Sequence, residues 1–180
     1  THTITLSSLT EALIISEVVL AAPDKILSYK EIQSEYKTRG YKRISGKDIV
    51  IEGEKADLKT SRAISPKTDN TTAKITPASA TNQVLNYIGG SNWKGTGQDV
   101  IWKFNVEESG LYKIGTLFKQ DQNINMYSYR QLKIDGKVPF EECNNIKFKY
   151  GTDWDTVILG NEQEDFEFWL EKGEHTLSMT

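Results

Sequence analysis

Hydrophobic and polar positions alternate in several short runs along the second part of the chain. Apolar residues recur at every second position, with polar residues between them, in residues 100–106, 132–134, 146–150 and 166–170. A period of two places successive side chains on opposite faces, which is typical of a β-strand with one buried face. Turn signals separate the runs, and Asp135-Gly136 is typical of a two-residue hairpin. The pattern predicts an all-β fold, an antiparallel β-sandwich of jelly-roll type.

The parity of these runs also predicts which side chains form the core. Each expected core residue lies at an apolar position of its strand: Trp102, Phe104, Tyr112, Ile114, Leu132, Phe168 and Leu177. A further strand is predicted at residues 49–54. Trp102 and Trp169 lie within strands and are interpreted as packing residues.

Residues 8–39 follow a helical period instead. Ser8 with Glu11, and Ser28 with Glu31, have the spacing of a capping box ahead of apolar-periodic runs. A Pro-Asp pair separates the two runs, and Gly40 follows the second as a C-cap. A short two-helix segment is therefore predicted ahead of the sheet.

The change of period divides the chain into two parts. Residues 1–47 are predicted to form an N-terminal strand and helical linker, and residues 48–180 to form the β-sandwich module. Residues 61–81, rich in Ser, Thr, Pro, Asn and Ala, are predicted to form a long surface loop. Residues 2–6 resemble residues 175–179, which raises the hypothesis of a neighbouring similar module in the same polypeptide.

Composition and charge argue against several classes of protein. The 180 residues carry a formal net charge of -3, with basic residues scattered among acids, so nucleic acid is not an expected partner. No run approaches the roughly 20 apolar residues of a membrane-spanning helix. The single cysteine, Cys143, cannot form an intrachain disulfide. A small secreted domain of eukaryotic type would usually carry several cysteines, so the sequence fits better a bacterial protein at the cell surface or outside the cell.

Catalytic signatures are absent from the sequence. There is no Gly-rich phosphate loop, no nucleophile elbow and no metal-binding His pair. Pairs of acidic residues could supply the two carboxylates of a glycosidase, but such pairs occur by chance in any acidic protein, and a solvated surface is the favoured explanation. We therefore expect no enzymatic activity.

Glu52 and Glu54 stand out because they fall at i and i+2 of the predicted first strand. Two carboxylates on one strand face repel each other unless a cation or a lysine neutralises them. The spacing favours a structural calcium site or, alternatively, an acidic face on an exposed edge strand.

Four segments of the chain carry a family resemblance in both order and spacing. Residues 51–54, 97–106, 109–112 and 170–177 resemble galactose-binding-like β-sandwich modules, especially carbohydrate-binding module families six and thirty-five. Similar segments occur in large bacterial extracellular proteins of sugar-uptake systems. The resemblance implies sugar binding, and a calcium ion held by Glu52 and Glu54 together with an acidic residue shortly after the last strand motif.

A sugar site combines exposed aromatic rings with planar hydrogen-bonding side chains, because sugars present apolar CH faces and many hydroxyls. Two loops and one isolated tryptophan have this composition, and their candidate ligand-binding residues are Tyr87, Asn92, Trp93, Asn125, Tyr127, Tyr129, Arg130 and Trp154. Trp93 either faces a ligand or plugs the core, and the same two interpretations apply to Trp154.

These observations predict a non-catalytic module that binds an oligo- or polysaccharide. Two alternatives remain: a structural or protein-interaction domain of the same fold, and a fragment of a glycan-active enzyme.

Overall fold

A computed structural model describes residues 16–17, 19–20, 25–79 and 81–180. The regular elements of this part of the chain are mostly β-strands, with one α-helix and three short 3-10 helices, and all pairings between the named strands are antiparallel. The helix is α1 (Tyr29–Arg39). The strands are β1 (Leu58–Lys59), β2 (Pro66–Lys67), β3 (Tyr87–Ile88), β4 (Val100–Val106), β5 (Gly110–Lys113), β6 (Gly115–Phe118), β7 (Tyr127–Arg130), β8 (Leu132–Ile134), β9 (Ile146–Lys149), β10 (Asp155–Ile158), β11 (Glu167–Leu170) and β12 (Gly173–Met179).

The largest sheet contains four strands in the order β1-β4-β12-β8. β12 lies between β4 and β8, so that Leu177 stands opposite both Trp102 and Ile134. Four two-stranded ribbons accompany this sheet, and they pair β6 with β10, β5 with β11, β2 with β3 and β7 with β9. The mostly β, antiparallel fold predicted from the alternation is confirmed. Among the described residues, no helix is long and apolar enough to cross a membrane.

The core agrees with the predicted strand parity except at one position. Trp102, Leu132, Phe168 and Leu177 are buried, and Phe104 and Ile114 are partly buried and pack against the same cluster. Tyr112 is only half-buried. Its hydroxyl reaches the turn between β4 and β5, where it donates a hydrogen bond of 2.7 Å to the Glu108 carbonyl oxygen.

Helix α1 begins and ends as its capping residues predict. Ser28 and Glu31 form a reciprocal capping box, and Gly40 adopts a left-handed conformation with φ 68°. The described residues contain one α-helix, whereas two were predicted. The first predicted helix falls mostly on residues outside those described, and residues 16, 17, 19 and 20 are not helical. Residues 2–6 also lie outside the described part.

Tyr29 anchors α1 to the sheets. Its ring is 1% exposed and lies 4.8 Å from the Phe140 ring and 4.7 Å from the Phe166 ring, measured between centroids. Its hydroxyl accepts a hydrogen bond of 2.9 Å from the backbone N–H of Glu167 and donates one of 3.3 Å to the Asp165 carbonyl oxygen. The helix therefore packs on the sheets through a core residue.

In the predicted loop of residues 61–81, the described residues 61–79 and 81 are largely irregular, interrupted by β2. The loop is nevertheless anchored, because Ile64 and Ile75 are 0% and 2% exposed. The buried Asn86 side chain holds it as well: its amide donates to the carbonyl oxygens of Asp69 and Pro77 at 2.9 and 3.0 Å. The loop therefore packs against the body of the protein.

Candidate functional site

The β7–β9 ribbon has one face in the core and one face in solvent. Ser128 and Arg130 stand opposite Phe148 and Ile146, which are both buried. The alternate residues point the other way, since successive side chains of a strand lie on opposite faces. The exposed face carries four residues, which we call the tyrosine face: Tyr127, Tyr129, Lys147 and Lys149.

The two tyrosines present their rings side by side. Tyr127 is 48% exposed and Tyr129 is 51% exposed. Their ring centroids are 6.5 Å apart, with the planes tilted by 52°. Two half-exposed rings on one strand offer an apolar surface with phenolic hydroxyls at its edge, which suits a partner with both CH faces and hydroxyl groups.

A shallow pocket opens at the end of this face. It has a volume of about 180 Å³ and is lined by Asn125, Met126, Tyr127, Lys149 and Tyr150. Asn125 has φ 57°, a left-handed conformation that asparagine tolerates better than most residues. Asn125 and Tyr127 therefore line the same pocket.

Gln120 holds the turn that carries Asn125, although sequence reasoning did not single it out. Its side chain is 7% exposed. The amide nitrogen donates to the Met126 carbonyl oxygen at 3.0 Å, and the amide oxygen accepts from the backbone N–H of Asn123 at 2.8 Å. A buried side chain that satisfies both ends of a turn fixes its backbone.

Arg130 and Trp93 meet on the opposite face of β7. The Arg130 guanidinium carbon lies 4.7 Å from the centroid of the Trp93 ring, and Nη2 donates a hydrogen bond of 2.6 Å to the Trp93 carbonyl oxygen. Burial lowers the pKa of Arg130 from its usual value. The structure thus places Arg130 away from the two tyrosines, against the loop that follows β3.

Trp93 is half-buried and packs against the core. Its indole N–H donates to the Gln98 carbonyl oxygen at 2.8 Å. A side chain at Gly89 would place Cβ only 2.8 Å from Trp93 Cε3, so the ring requires this glycine, whose φ is 99°. Asn92 is exposed at the end of the adjoining 3-10 helix, Gly90–Asn92.

Trp154 and Tyr87 form a third group. Their ring centroids are 5.6 Å apart, with an interplanar angle of 67°, and the Trp154 indole N–H donates to Asp69 Oδ2 at 2.9 Å. Hydrogen bonds from Thr71 and Trp154 lower the pKa of Asp69 to about 2. Asp69 is therefore a carboxylate at neutral pH and ties Trp154 to the loop of residues 61–81.

The strand predicted at residues 49–54 is wrong. Glu52 occupies the N-cap position of the 3-10 helix Gly53–Lys55, without a hydrogen bond from its side chain, and the Lys55 N–H donates to the Glu52 carbonyl oxygen at 3.1 Å. The Trp102 indole N–H donates to the Gly53 carbonyl oxygen at 2.9 Å and stabilises this turn. Glu52 and Glu54 consequently do not share a strand face.

Within the residues that the structure describes, one carboxylate oxygen of Glu54 lacks a hydrogen-bond partner. Its Oε2 atom is buried and has no hydrogen-bond partner among the described residues, and a carboxylate oxygen is a ligand that calcium accepts. No group of three or more His, Cys, Asp or Glu side chains in the described part of the chain could hold a metal ion. Glu54 would therefore need backbone carbonyls or water to complete a calcium site.

Cys143 does not have the properties of a nucleophile. It is fully buried, and burial raises the pKa of its thiol to about 12. The reactive form of cysteine is the thiolate, which is not populated near neutral pH at such a pKa. Cys143 is therefore a buried packing residue.

No protein-family model and no curated protein matches the chain. Solved structures do match it. The chain is similar to a Podospora anserina GH26-CBM35 β-(1,4)-mannanase, with 12% identity and a TM-score of 0.48 over 72% of this chain and 23% of that one. It is also similar to a Paenibacillus sp. cycloisomaltooligosaccharide glucanotransferase complexed with cycloisomaltoheptaose, with 19% identity and a TM-score of 0.49 over 84% of this chain and 20% of that one. The chain thus spans less than a quarter of the length of either protein.

Proposed function

We propose that this protein is a non-catalytic carbohydrate-binding domain that holds an oligo- or polysaccharide against the tyrosine face. The observation that supports this most directly is the pair of half-exposed rings of Tyr127 and Tyr129, 6.5 Å apart on one strand. Their faces would stack on the CH faces of sugar rings. Asn125, at the adjoining pocket, would hydrogen-bond sugar hydroxyls through its amide.

Buried side chains hold the β7–β9 ribbon in place on its inner side, which favours binding without rearrangement. Phe148, opposite Ser128 on the buried side, packs edge-on against Phe118 with centroids 4.9 Å apart. Gln120 fixes the turn before β7. A surface that is already ordered loses little conformational entropy on binding, so more of the contact energy contributes to affinity.

The other predicted ligand residues take positioning roles in this proposal. Trp93 and Arg130 fix the loop after β3 against the inner face of β7, and Tyr87 and Trp154 fix the loop of residues 61–81. Asn92, exposed beside Trp93, is available for a secondary contact. In this assignment Trp93 is a structural plug, and the ligand platform is formed by the tyrosines.

The finer classification is part of the same proposal. We infer a galactose-binding-like jelly roll of the type of families six and thirty-five, in residues 48–180 of a bacterial extracellular or cell-surface protein with neighbouring modules. Calcium, when bound, would neutralise Glu52 at the N-cap position and Glu54 within the 3-10 helix Gly53–Lys55, and would stabilise that turn. The buried, unpartnered Oε2 of Glu54 is the observation in favour of this ion.

The test is a glycan array followed by titration calorimetry with the best-bound glycan. We expect Tyr127→Ala/Tyr129→Ala to weaken binding at least about ten-fold, which equals about 1.4 kcal/mol. Its folding stability should stay within about 0.5 kcal/mol for each substitution, because both rings are exposed. The matched control is Leu58→Ala/Leu85→Ala, which removes side chains of residues that are 59% and 54% exposed elsewhere.

Unchanged affinity in the tyrosine variant would refute this site, and a chain that turns over its glycan would refute a purely binding role. A protein-interaction surface is the second candidate, because Ile124 and Met126, just before β7, are 67% and 65% exposed. Failure to bind any glycan on the array would favour that candidate.

A further inference from the structure

Lys147 and Lys149 share the tyrosine face and were not singled out by the sequence. In the β7–β9 register, Lys149 stands directly opposite Tyr127, and Lys147 stands directly opposite Tyr129. Side chains directly opposite in an antiparallel pair have Cβ atoms roughly 4.5–5.5 Å apart. Each ring therefore has an ammonium group within reach of anything stacked on it.

These two lysines are unpaired within the described part of the chain. Both are exposed, and neither forms an ion pair with a described residue, whereas Lys74 and Lys113 pair with Asp153 and Asp165 at 2.6 and 2.7 Å. The chain as a whole has a formal net charge of -3. A pair of uncompensated positive charges on an aromatic surface thus contrasts with the overall charge.

The lysine pair also limits what can bind well. A neutral polymer that covered the tyrosines would remove water from the two ammonium groups without replacing it by a partner charge, which costs free energy. A polymer with anionic substituents would supply that partner. Charge complementarity of this kind contributes mainly to specificity.

We propose that the ligand of the tyrosine face is an anionic glycan, whose carboxylate or sulfate groups pair with Lys147 and Lys149 while its sugar rings stack on Tyr127 and Tyr129. This inference rests on the proposed function, since it names the class of sugar for the same face. A single-stranded nucleic acid is the competing anionic partner with stacking rings. Such partners are bound along basic grooves that follow several phosphates, and this face supplies two ammonium groups.

The experiment uses the full 180-residue chain and polymers that differ mainly in charge. Polygalacturonate is compared with methyl-esterified pectin, and dextran sulfate with dextran, by titration calorimetry. Polydeoxythymidine is the nucleic-acid arm. An exposed ion pair changes a binding constant about 1.4- to 5-fold, so two pairs predict a preference of roughly 2- to 25-fold for at least one anionic polymer over its neutral counterpart.

Two double variants assign the preference to this face. In Lys147→Gln/Lys149→Gln, the ratio of the anionic to the neutral affinity should fall towards one. In the control Lys59→Gln/Lys103→Gln, which removes two exposed strand lysines of the β1–β4 pair, the ratio should stay at the wild-type value. The wild-type ratio should also shrink between about 0.1 M and about 1 M salt, as the screening length falls from roughly 10 to roughly 3 Å.

The outcomes separate this inference from the proposed function. Binding that requires the tyrosines but is equal for anionic and neutral polymers overturns only the charge preference. No binding to any glycan overturns both proposals. Polydeoxythymidine bound as tightly as the better anionic glycan, or a preference that survives in Lys147→Gln/Lys149→Gln, also overturns the inference.

Discussion

Substitution of Tyr29 tests whether α1 belongs to the cooperative fold. The Tyr29 ring lies between Phe140 and Phe166 and is 1% exposed. Its hydroxyl is the hydrogen-bond acceptor for the buried backbone N–H of Glu167. Burial raises the pKa of Tyr29 from its usual value, so the phenol stays protonated and can also donate to Asp165.

The two functions of this side chain give two different magnitudes. Tyr29→Phe keeps the ring and leaves the Glu167 N–H without its acceptor, and an unsatisfied buried donor costs about 1–3 kcal/mol. Tyr29→Ala also removes the ring from the core, and truncation of a buried aromatic residue costs about 3–5 kcal/mol. Tyr129→Phe, at a half-exposed ring, is the control and should stay within about 0.5 kcal/mol.

Urea unfolding followed by tryptophan fluorescence measures these differences. The Trp169 ring stacks on Tyr41, just after α1, at 3.6 Å between centroids, so its emission also reports the helix contact. In a thermal melt each kcal/mol lowers the midpoint by roughly 2–4 °C for a domain of this size. A loss below about 1 kcal/mol in Tyr29→Ala, or a separate early transition of the helix in the wild type, would refute the packing argument.

Three further predictions concern other parts of the molecule. Trp93→Ala should lower the free energy of unfolding by about 3 kcal/mol because Trp93 packs against the core, and Arg130→Gln should lower it by up to about 2 kcal/mol through loss of the cation–π contact. Thermal denaturation measures both changes. A loss under about 0.5 kcal/mol in Trp93→Ala would contradict the role of Trp93 as a plug. Burial lowers the pKa of His175, but hydrogen bonds to Asp135 and to a backbone carbonyl raise it more, so the pKa lies above its usual value. The stabilisation of the fold by the His175–Asp135 pair is therefore complete below about pH 6.5, the usual pKa of histidine, and is lost as pH rises through the raised pKa. Asp135→Asn should make the melting temperature less dependent on pH over this window. An unchanged dependence of the melting temperature on pH would argue against the pair. Calcium at about 100 times its Kd should stabilise the chain by about 2.7 kcal/mol, and Glu54→Gln should remove that gain, whereas identical melting curves with and without a chelator would exclude the ion.

Features set by neighbouring residues were predictable from the sequence. The alternation in residues 100–106 predicts the bounds of β4, and Ser28 with Glu31 predicts the start of α1. Asp135-Gly136 predicts a hairpin, and both residues have positive φ, 52° and 74°, as a two-residue hairpin turn of type I′ requires. Local conformational preferences determine each of these elements, so the sequence window that contains the element is sufficient.

Features that join distant segments were not predictable in the same way. The pairing of Lys147 and Lys149 with the tyrosines depends on the register between β7 and β9, although the alternation within β9 does place both lysines on one face. The contact between Arg130 and Trp93 joins residues 37 positions apart. Composition alone also did not reveal that Ile64 and Ile75 anchor the loop.

The turn at Gly53 shows why the candidate metal residues were misplaced. Residues 49–54 have the apolar and acidic pattern of a strand, but the Gly53 carbonyl oxygen is the acceptor for the Trp102 indole N–H. A buried indole donor needs such a partner, and a turn that presents the carbonyl satisfies it. A tertiary contact therefore overrides the local preference at this position.

The two faces of β7 have a consequence for how this protein can diverge. Ser128 and Arg130 face the interior, so changes there alter stability, whereas Tyr127 and Tyr129 face solvent and can change with little effect on folding. Selection can therefore change the exposed surface and the scaffold almost independently, although the two sets of residues alternate along one short strand. Randomising the outward positions of β7 and β9 while keeping the inward ones would give a library of folded proteins with different binding surfaces.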